Sequence, residues 1–290
     1  MLKEIKFEQE SELNEIKDYA FSNSKIEKIV FPRNLIYIGR NAFQKCENLK
    51  IIDFSMCTKL NKIDDNAFCK TSIEDIIIPA NVRYIGEGAF SSCQSLKTFI
   101  FDEGSMLTKI NRKMFSESSI ESITLPPSVQ IIKEEAFSNC QKFKEVKVTD
   151  DSNLNCIEEK AFDGSSIETI EIPTNFKFFS KGWANNAPEL TNIKLSRDNK
   201  KYKEINGLIL LNSTNCNEGN DERFDTIVFA KKDVTNVVVP NYVKHIVSNA
   251  FNSCLSINEI LFDEGSNLEI IDSYAFSNSS LKRLKIPQKV

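Results

Sequence analysis

The chain has 290 residues, an apolar fraction of 41 % and a net charge of −4, with acids and bases mixed along its length. No basic stripe is present, which argues against nucleic acid as a partner. No apolar run approaches the ~18 residues of a membrane-spanning helix.

The chain opens on the charged stretch MLKEIKFEQE, which has no apolar core of the kind a secretory signal needs. It closes on IPQKV in mid-unit, so the expectation is a piece of a longer array. Between these ends an Ala-Phe or similar pair recurs at Phe21, Phe43, Phe68, Phe90, Phe115, Phe137 and Phe162, with spacings that alternate between 22 and 25. The next unit keeps the phase but carries Ala184 where Phe is due, beside the single Trp, Trp183. The register then breaks and resumes at Phe251 and Phe276. A fixed period of this kind is the signature of a solenoid whose turns pack only on their neighbours.

The stretch Ile78 to Phe101, IPANVRYIGEGAFSSCQSLKTFIF, shows the unit in full. Alternating apolar residues such as Ile73, Ile76 and Ile78, or Leu96, Phe99 and Phe101, predict a short strand with one buried face. Pro32, Pro79, Pro126, Pro173, Pro240 and Pro287 follow many of these strands and, lacking an N–H, end the ladder there. A second short apolar segment follows, as in Val82 and Ile85. Ala-Phe then predicts one helical or 3-10 turn. In other turns the Pro segment gives way to an acidic turn, FDEGSML at 101–107 and FDEGSNL at 262–268. Strands are expected near residues 5, 29, 52, 76, 99, 123, 146, 170, 193, 237, 260 and 284. The expected fold is one curved repeat solenoid over 1–290, of about twelve turns. Its parallel β-sheet lies on the concave face, with short strands and helical turns on the convex face.

The register break carries an irregular insertion at about 196–236. In YKEINGLILL the pair Asn206-Gly207 between apolar residues predicts a type I′ hairpin. NSTNCNEGNDER, at 212–223, reads as an exposed loop, and RFDTIVFA, at 223–230, as a strand. A hairpin projecting from the edge and a specificity loop on a binding face are both readings of this segment. Trp183 replaces core volume lost at Ala184, or anchors a partner.

Residues that carry chemistry are sparse. Cys46, Cys93 and Cys140 recur every 47 residues and Cys254 shares their phase, while Ala187 fills the position between. A column of buried free thiols acting as small apolar groups is expected. No C-x-x-C pair suggests zinc. His245, the only His, occupies the wall position of Tyr37 and Tyr84. The DEG turns offer too few oxygens per turn for Ca²⁺. No catalytic residue, metal ligand or cofactor site is identified. Two sequons, at Asn212 and Asn278, matter only in a secreted chain.

The residues between the buried strand positions point outwards and form the candidate protein-binding face. They are Val30, Asp53, Ile77, Thr98, Ile100, Ser122, Thr124, Lys147, Glu171 and Lys194. Ile77 and Ile100 are adjacent and form an apolar spot with Thr98 and Ser122 beside it. The alternative is that β-branched residues there only stabilise the sheet.

Ile73 through Leu96 resembles the BspA-like leucine-rich repeat pattern L-x-x-I-x-I-P-x-x-V-x-x-I-G-x-x-A-F-x-x-C-x-x-L almost position by position. Tyr202, Gly207 and Ile209 are similar to a variant element of the same family. The resemblance covers about nine-tenths of the chain. It implies a leucine-rich-repeat array on a cell surface that adheres to host matrix or cell-surface proteins and is not an enzyme. Free thiols and the absence of a signal favour the alternative, an intracellular scaffold for protein–protein interaction.

Overall fold

The computed structural model describes residues 3–8, 10–213 and 224–290. Cys216 and most of the polar tract at 212–223 lie outside the described residues. Among the described residues, twenty-four strands, numbered β1 to β24 in chain order, form two walls and a segment that fills the break. The long-strand wall holds β1 (Glu4–Ile5), β3 (Lys28–Val30), β5 (Ile51–Asp53), β7 (Asp75–Ile78), β9 (Thr98–Phe101), β11 (Ser122–Leu125), β13 (Glu145–Val148), β15 (Thr169–Ile172), β17 (Asn192–Leu195), β21 (Asn236–Val239) and β23 (Glu259–Phe262). The second wall holds β2 (Glu15–Ile16), β4 (Tyr37–Ile38), β6 (Lys62–Ile63), β8 (Tyr84–Ile85), β10 (Lys109–Ile110), β12 (Ile131–Ile132), β14 (Cys156–Ile157), β16 (Phe178–Phe179), β22 (His245–Ile246) and β24 (Ile270–Ile271). The break is filled by β18 (Tyr202–Ile205), β19 (Leu208–Leu211) and β20 (Thr226–Ala230). Eleven long strands form, not twelve: the last expected rung is a single bridge from Leu284 to Ile260.

Between the walls, the landmark Phe rings stack in a column. Centroids are 5.2 Å apart for Phe21–Phe43, 5.3 Å for Phe43–Phe68, 5.5 Å for Phe68–Phe90 and 5.4 Å for Phe137–Phe162. The neighbouring Ala42, Ala67, Ala89 and Ala136 are fully buried. A single methyl there lets each turn approach the next.

The Ala-Phe turns are not helical, and no helix occurs among the described residues. Two residues per turn, such as Asn41 and Lys45, adopt positive φ of 55° and 58°. A left-handed residue cannot continue a right-handed helix. Instead the chain makes short i to i+3 bonds, from the Ala42 N–H to the Gly39 carbonyl and from the Gln44 N–H to the Asn41 carbonyl. The Asn41, Phe43 and Lys45 N–H groups are thereby turned along the array and donate to the carbonyls of Asp65, Ala67 and Cys69 one turn on. The expected helical turns on the convex face are corrected accordingly: the turns form ladders of their own.

The long-strand ladder alternates between strong and weak joints. β7 pairs with β9, β11 with β13 and β15 with β17 over four residues each. β5 pairs with β7 at one position only, and β9 does not pair with β11 at all. Proline explains the alternation. At strong joints the residue after the strand donates back, as Asp102 N–H does to the Ile78 carbonyl and Ser196 N–H to the Ile172 carbonyl, both at 2.9 Å. At weak joints that residue is Pro79, Pro126 or Pro173, which has no proton to give.

In the insertion, Asn206 and Gly207 take φ of 50° and 78°, and β18 pairs antiparallel with β19 around them. The segment is not a projection from the edge. β19 is buried on both faces, pairs antiparallel with β20, and β20 pairs parallel with β22. Tyr202, Ile209 and Phe229 belong to one apolar cluster, and Leu208, Leu210, Ile227 and Ala230 to a second. The hairpin therefore forms the partition between two cores. On either side of it the large and small residues of the turn swap places, as Trp183-Ala184 and Phe229-Ala230. The Phe162 N–H donates to the Trp183 carbonyl, which puts Trp183 at the usual Ala position. Trp183 is buried, stacks on Phe179 at 4.5 Å and lies tilted against Phe229 at 5.2 Å, so it is a core residue.

Candidate functional site

All ten residues expected on the binding face lie on the long-strand wall, exposed or half-buried. The ladder sets them in one file: Val30 opposite Asp53, Ile77 opposite Ile100, Thr124 opposite Lys147, Glu171 opposite Lys194. Thr98 and Ser122 stand in the next file. Ile77 and Ile100 are 58 % and 48 % exposed, which is high for isoleucine and makes a real apolar spot.

The structure sorts eight of these ten into two groups. Lys147, Glu171 and Lys194 neutralise one another through Glu145: Lys147 lies 3.1 Å and Lys194 3.6 Å from Glu145, and Lys194 lies 3.4 Å from Glu171. Glu171 also accepts the Val148 N–H at 3.0 Å, across a weak joint of the ladder. Asp53 caps its own turn by accepting the Ser55 N–H at 2.8 Å, and this bond holds its carboxyl below the usual range. These side chains are occupied in holding the sheet.

Thr98, Ile100, Ser122 and Thr124 behave differently. They line one groove of about 760 Å³ at the open joint between β9 and β11. Its far wall is the acidic turn from Asp102 to Ser105, facing Pro126 and Pro127. Asp102, Glu103 and Glu121 on its rim are exposed and have no ion-pair partner among the described residues. The second wall is also open here, since β8 and β10 belong to different sheets. A groove of about 670 Å³ recurs at the same phase beside the second acidic turn, lined by Leu261, Asp263, Gly265 and Pro287. The carboxylates and the groove were not among the expected site residues. Their signal was an FDEGS turn followed one turn later by Pro.

The seven described cysteines are structural. They are buried and unpaired. Ser24, Thr71 and Ser118 place their hydroxyls 3.2, 3.3 and 3.7 Å from the sulfurs of Cys46, Cys93 and Cys140. Each thiol in turn donates to the carbonyl of Phe21, Phe68 or Phe115. Burial pushes Cys93 up to about 11 and Cys140 up to about 12. Such groups are not nucleophiles at neutral pH. His245 is half-buried on the second wall, its Nε2 3.0 Å from Asp272 but off the line of a hydrogen bond.

The family model of the BspA type leucine rich repeat region matches residues 1–97, 108–218 and 222–290, in six copies. The chain belongs to the BspA-type leucine-rich repeat family. Among solved structures, the BspA-type fold seen here is similar to a leucine rich cell surface protein from Faecalibacterium prausnitzii A2-165. Identity is 20 %, the TM-score is 0.56, and the match covers 90 % of this chain and 64 % of that one. This chain thus spans less than two thirds of that protein. A leucine-rich repeat protein from Bacteroides ovatus ATCC 8483 matches at 19 % identity and a TM-score of 0.45, over 92 % of this chain and 80 % of that one. No curated protein matches this BspA-type chain significantly.

Proposed function

We propose that this BspA-type solenoid is a non-catalytic recognition protein of a cell surface. It adheres to a host matrix or cell-surface protein through the groove between β9 and β11. The observation that carries this reading is the contrast along one wall. Along β13, β15 and β17 the wall's charges are paired and its ladder is continuous. At β9 and β11 the ladder is open, Ile100 is exposed, and three rim carboxylates have no ion-pair partner among the described residues. Apolar contact supplies affinity in such a setting, while unpaired charge supplies orientation and rate. That a structural relative is a cell surface protein supports the location assigned to this chain.

The test is binding of the purified chain to immobilised extracellular-matrix proteins, with a double variant Ile77→Lys and Ile100→Lys beside it. The expected result is binding by the native chain, at least tenfold weaker in the variant, with the melting curve unchanged. Equal binding by the variant would remove the groove from the site. Absence of label on intact cells treated with a membrane-impermeant amine reagent would remove the surface assignment.

A further inference from the structure

A different site lies at the break in the array. In each of the seven turns from Phe21 to Phe162, three backbone N–H groups donate along the array to the next turn: those of Lys160, Phe162 and Gly164, for example, donate to the carbonyls of Gly182, Trp183 and Asn185. At the following turn this relay stops. The equivalent donors are Gly182, Ala184 and Asn186. Asn186 N–H finds the side-chain oxygen of Asn252 at 3.2 Å. Gly182 and Ala184 are both buried, and their N–H groups have no acceptor among the described residues. The Trp183 Nε1–H between them is also buried and unpartnered. Buried donors are paired as a rule, so three orphans in consecutive residues need an explanation.

All three residues line a cleft of about 290 Å³. It lies at the turn where Ala184 stands in place of a landmark Phe. Phe178, Phe179 and Phe229 supply apolar walls, and Lys181 stands at its edge. Asp272, the one carboxylate of the lining, faces His245. We propose that this cleft binds a small aromatic carboxylate. The ring takes the volume that the missing Phe leaves, against Phe179 and Trp183. The carboxylate oxygens accept from the Gly182 and Ala184 N–H groups, as a carbonyl of a further turn would. The size fits one or two rings, at the small end of the ~300–1000 Å³ of ligand sites. An anion suits three unpaired donors with a lysine beside them.

Trp183 is the only Trp, so its fluorescence reports on the cleft directly. The full chain is titrated with benzoate and phenylacetate, and with toluene as a ring of similar size without oxygen. A saturable change with either carboxylate, and at least tenfold weaker binding of toluene, is the expected result. No saturable response to either carboxylate overturns the proposal, and equal binding of toluene overturns the role of the donors. Ala184→Phe restores the landmark ring and should weaken carboxylate binding at least tenfold; unchanged binding by this variant overturns the location. If that variant does not fold, the Gly182 amide resonance of the native chain decides. It shifts on carboxylate binding if the proposal holds, and stays in place if it fails.

Discussion

The side-chain nitrogen of Lys232 lies 4.0 Å from the sulfur of Cys254, at the place in the repeat where the hydroxyl of Thr71 lies 3.3 Å from the sulfur of Cys93. A lysine thus stands where the other turns carry Ser or Thr. It is 2 % exposed, donates to the Asn252 carbonyl at 2.6 Å and sits 4.1 Å over the Phe229 ring, with no carboxylate partner among the described residues. Burial pulls it down to about 8.

That shift sets a pH dependence. Between pH ~8 and the ordinary lysine value of ~10.4 the unfolded chain holds the proton and the native chain has released it. Unfolding then takes up a proton, so this residue makes stability rise with pH across that window. Below it both states are charged, and the native state bears the full cost of a buried ammonium. Lys232→Met should therefore stabilise the protein at pH 7, by up to ~3 kcal/mol, and flatten the rise. Urea unfolding of both proteins at pH 7 and pH 10 measures this; identical slopes would sink it.

The ring column should be the largest single source of stability per residue. Phe137 is fully buried and stacks within 5.2 Å of Phe115, 4.5 Å of Phe143 and 5.4 Å of Phe162. Phe137→Ala should cost ~4 kcal/mol, from lost transfer and the cavity left behind. Phe21, at the end of the column and only half-buried, should cost less than half as much. Denaturant midpoints for the two variants give the comparison.

Gly86 marks a close approach of two turns. A Cβ there would sit 2.3 Å from the Asp65 backbone nitrogen. Asp65 in turn accepts the Glu87 N–H at 2.9 Å, which fastens the turns together. Gly86→Ala must push them apart, at ~3 kcal/mol. A thermal melt within 1 °C of the native protein would show that the turns slide freely, against this packing.

The thiols should be silent until the chain opens. In a Cys216→Ser variant the seven remaining cysteines are the buried ones described here. Their burial and raised proton affinity predict less than one equivalent of reaction with a disulfide reagent at pH 7.5 in the native state. All seven should react in guanidinium. Rapid labelling of several native thiols would mean that the turns breathe far more than their packing implies.

The solenoid, its parallel rungs and the buried faces of its strands were legible in the chain, because each turn repeats one apolar pattern with a period longer than any local accident. Two features were misread for one reason: Ala-Phe looks helical and the hairpin looks peripheral when each is judged alone. Asn41 and Lys45 in left-handed conformation turn their N–H groups towards the next turn, and only the stacked neighbour makes that conformation worth adopting. β19 looks like one arm of a hairpin until β20 covers its other edge and a core closes over each face.

What the sequence by itself determined is the unit: which residues are buried, where proline interrupts the ladder, and where the phase breaks. What only the tertiary structure decided is where groups are left over, because pairing is a property of neighbours one turn away. The open edges at Thr98 and Ser122, the carboxylates around them that lack an ion pair, and the unmet N–H groups of Gly182 and Ala184 each depend on an absent partner, and no stretch of chain records what fails to face it.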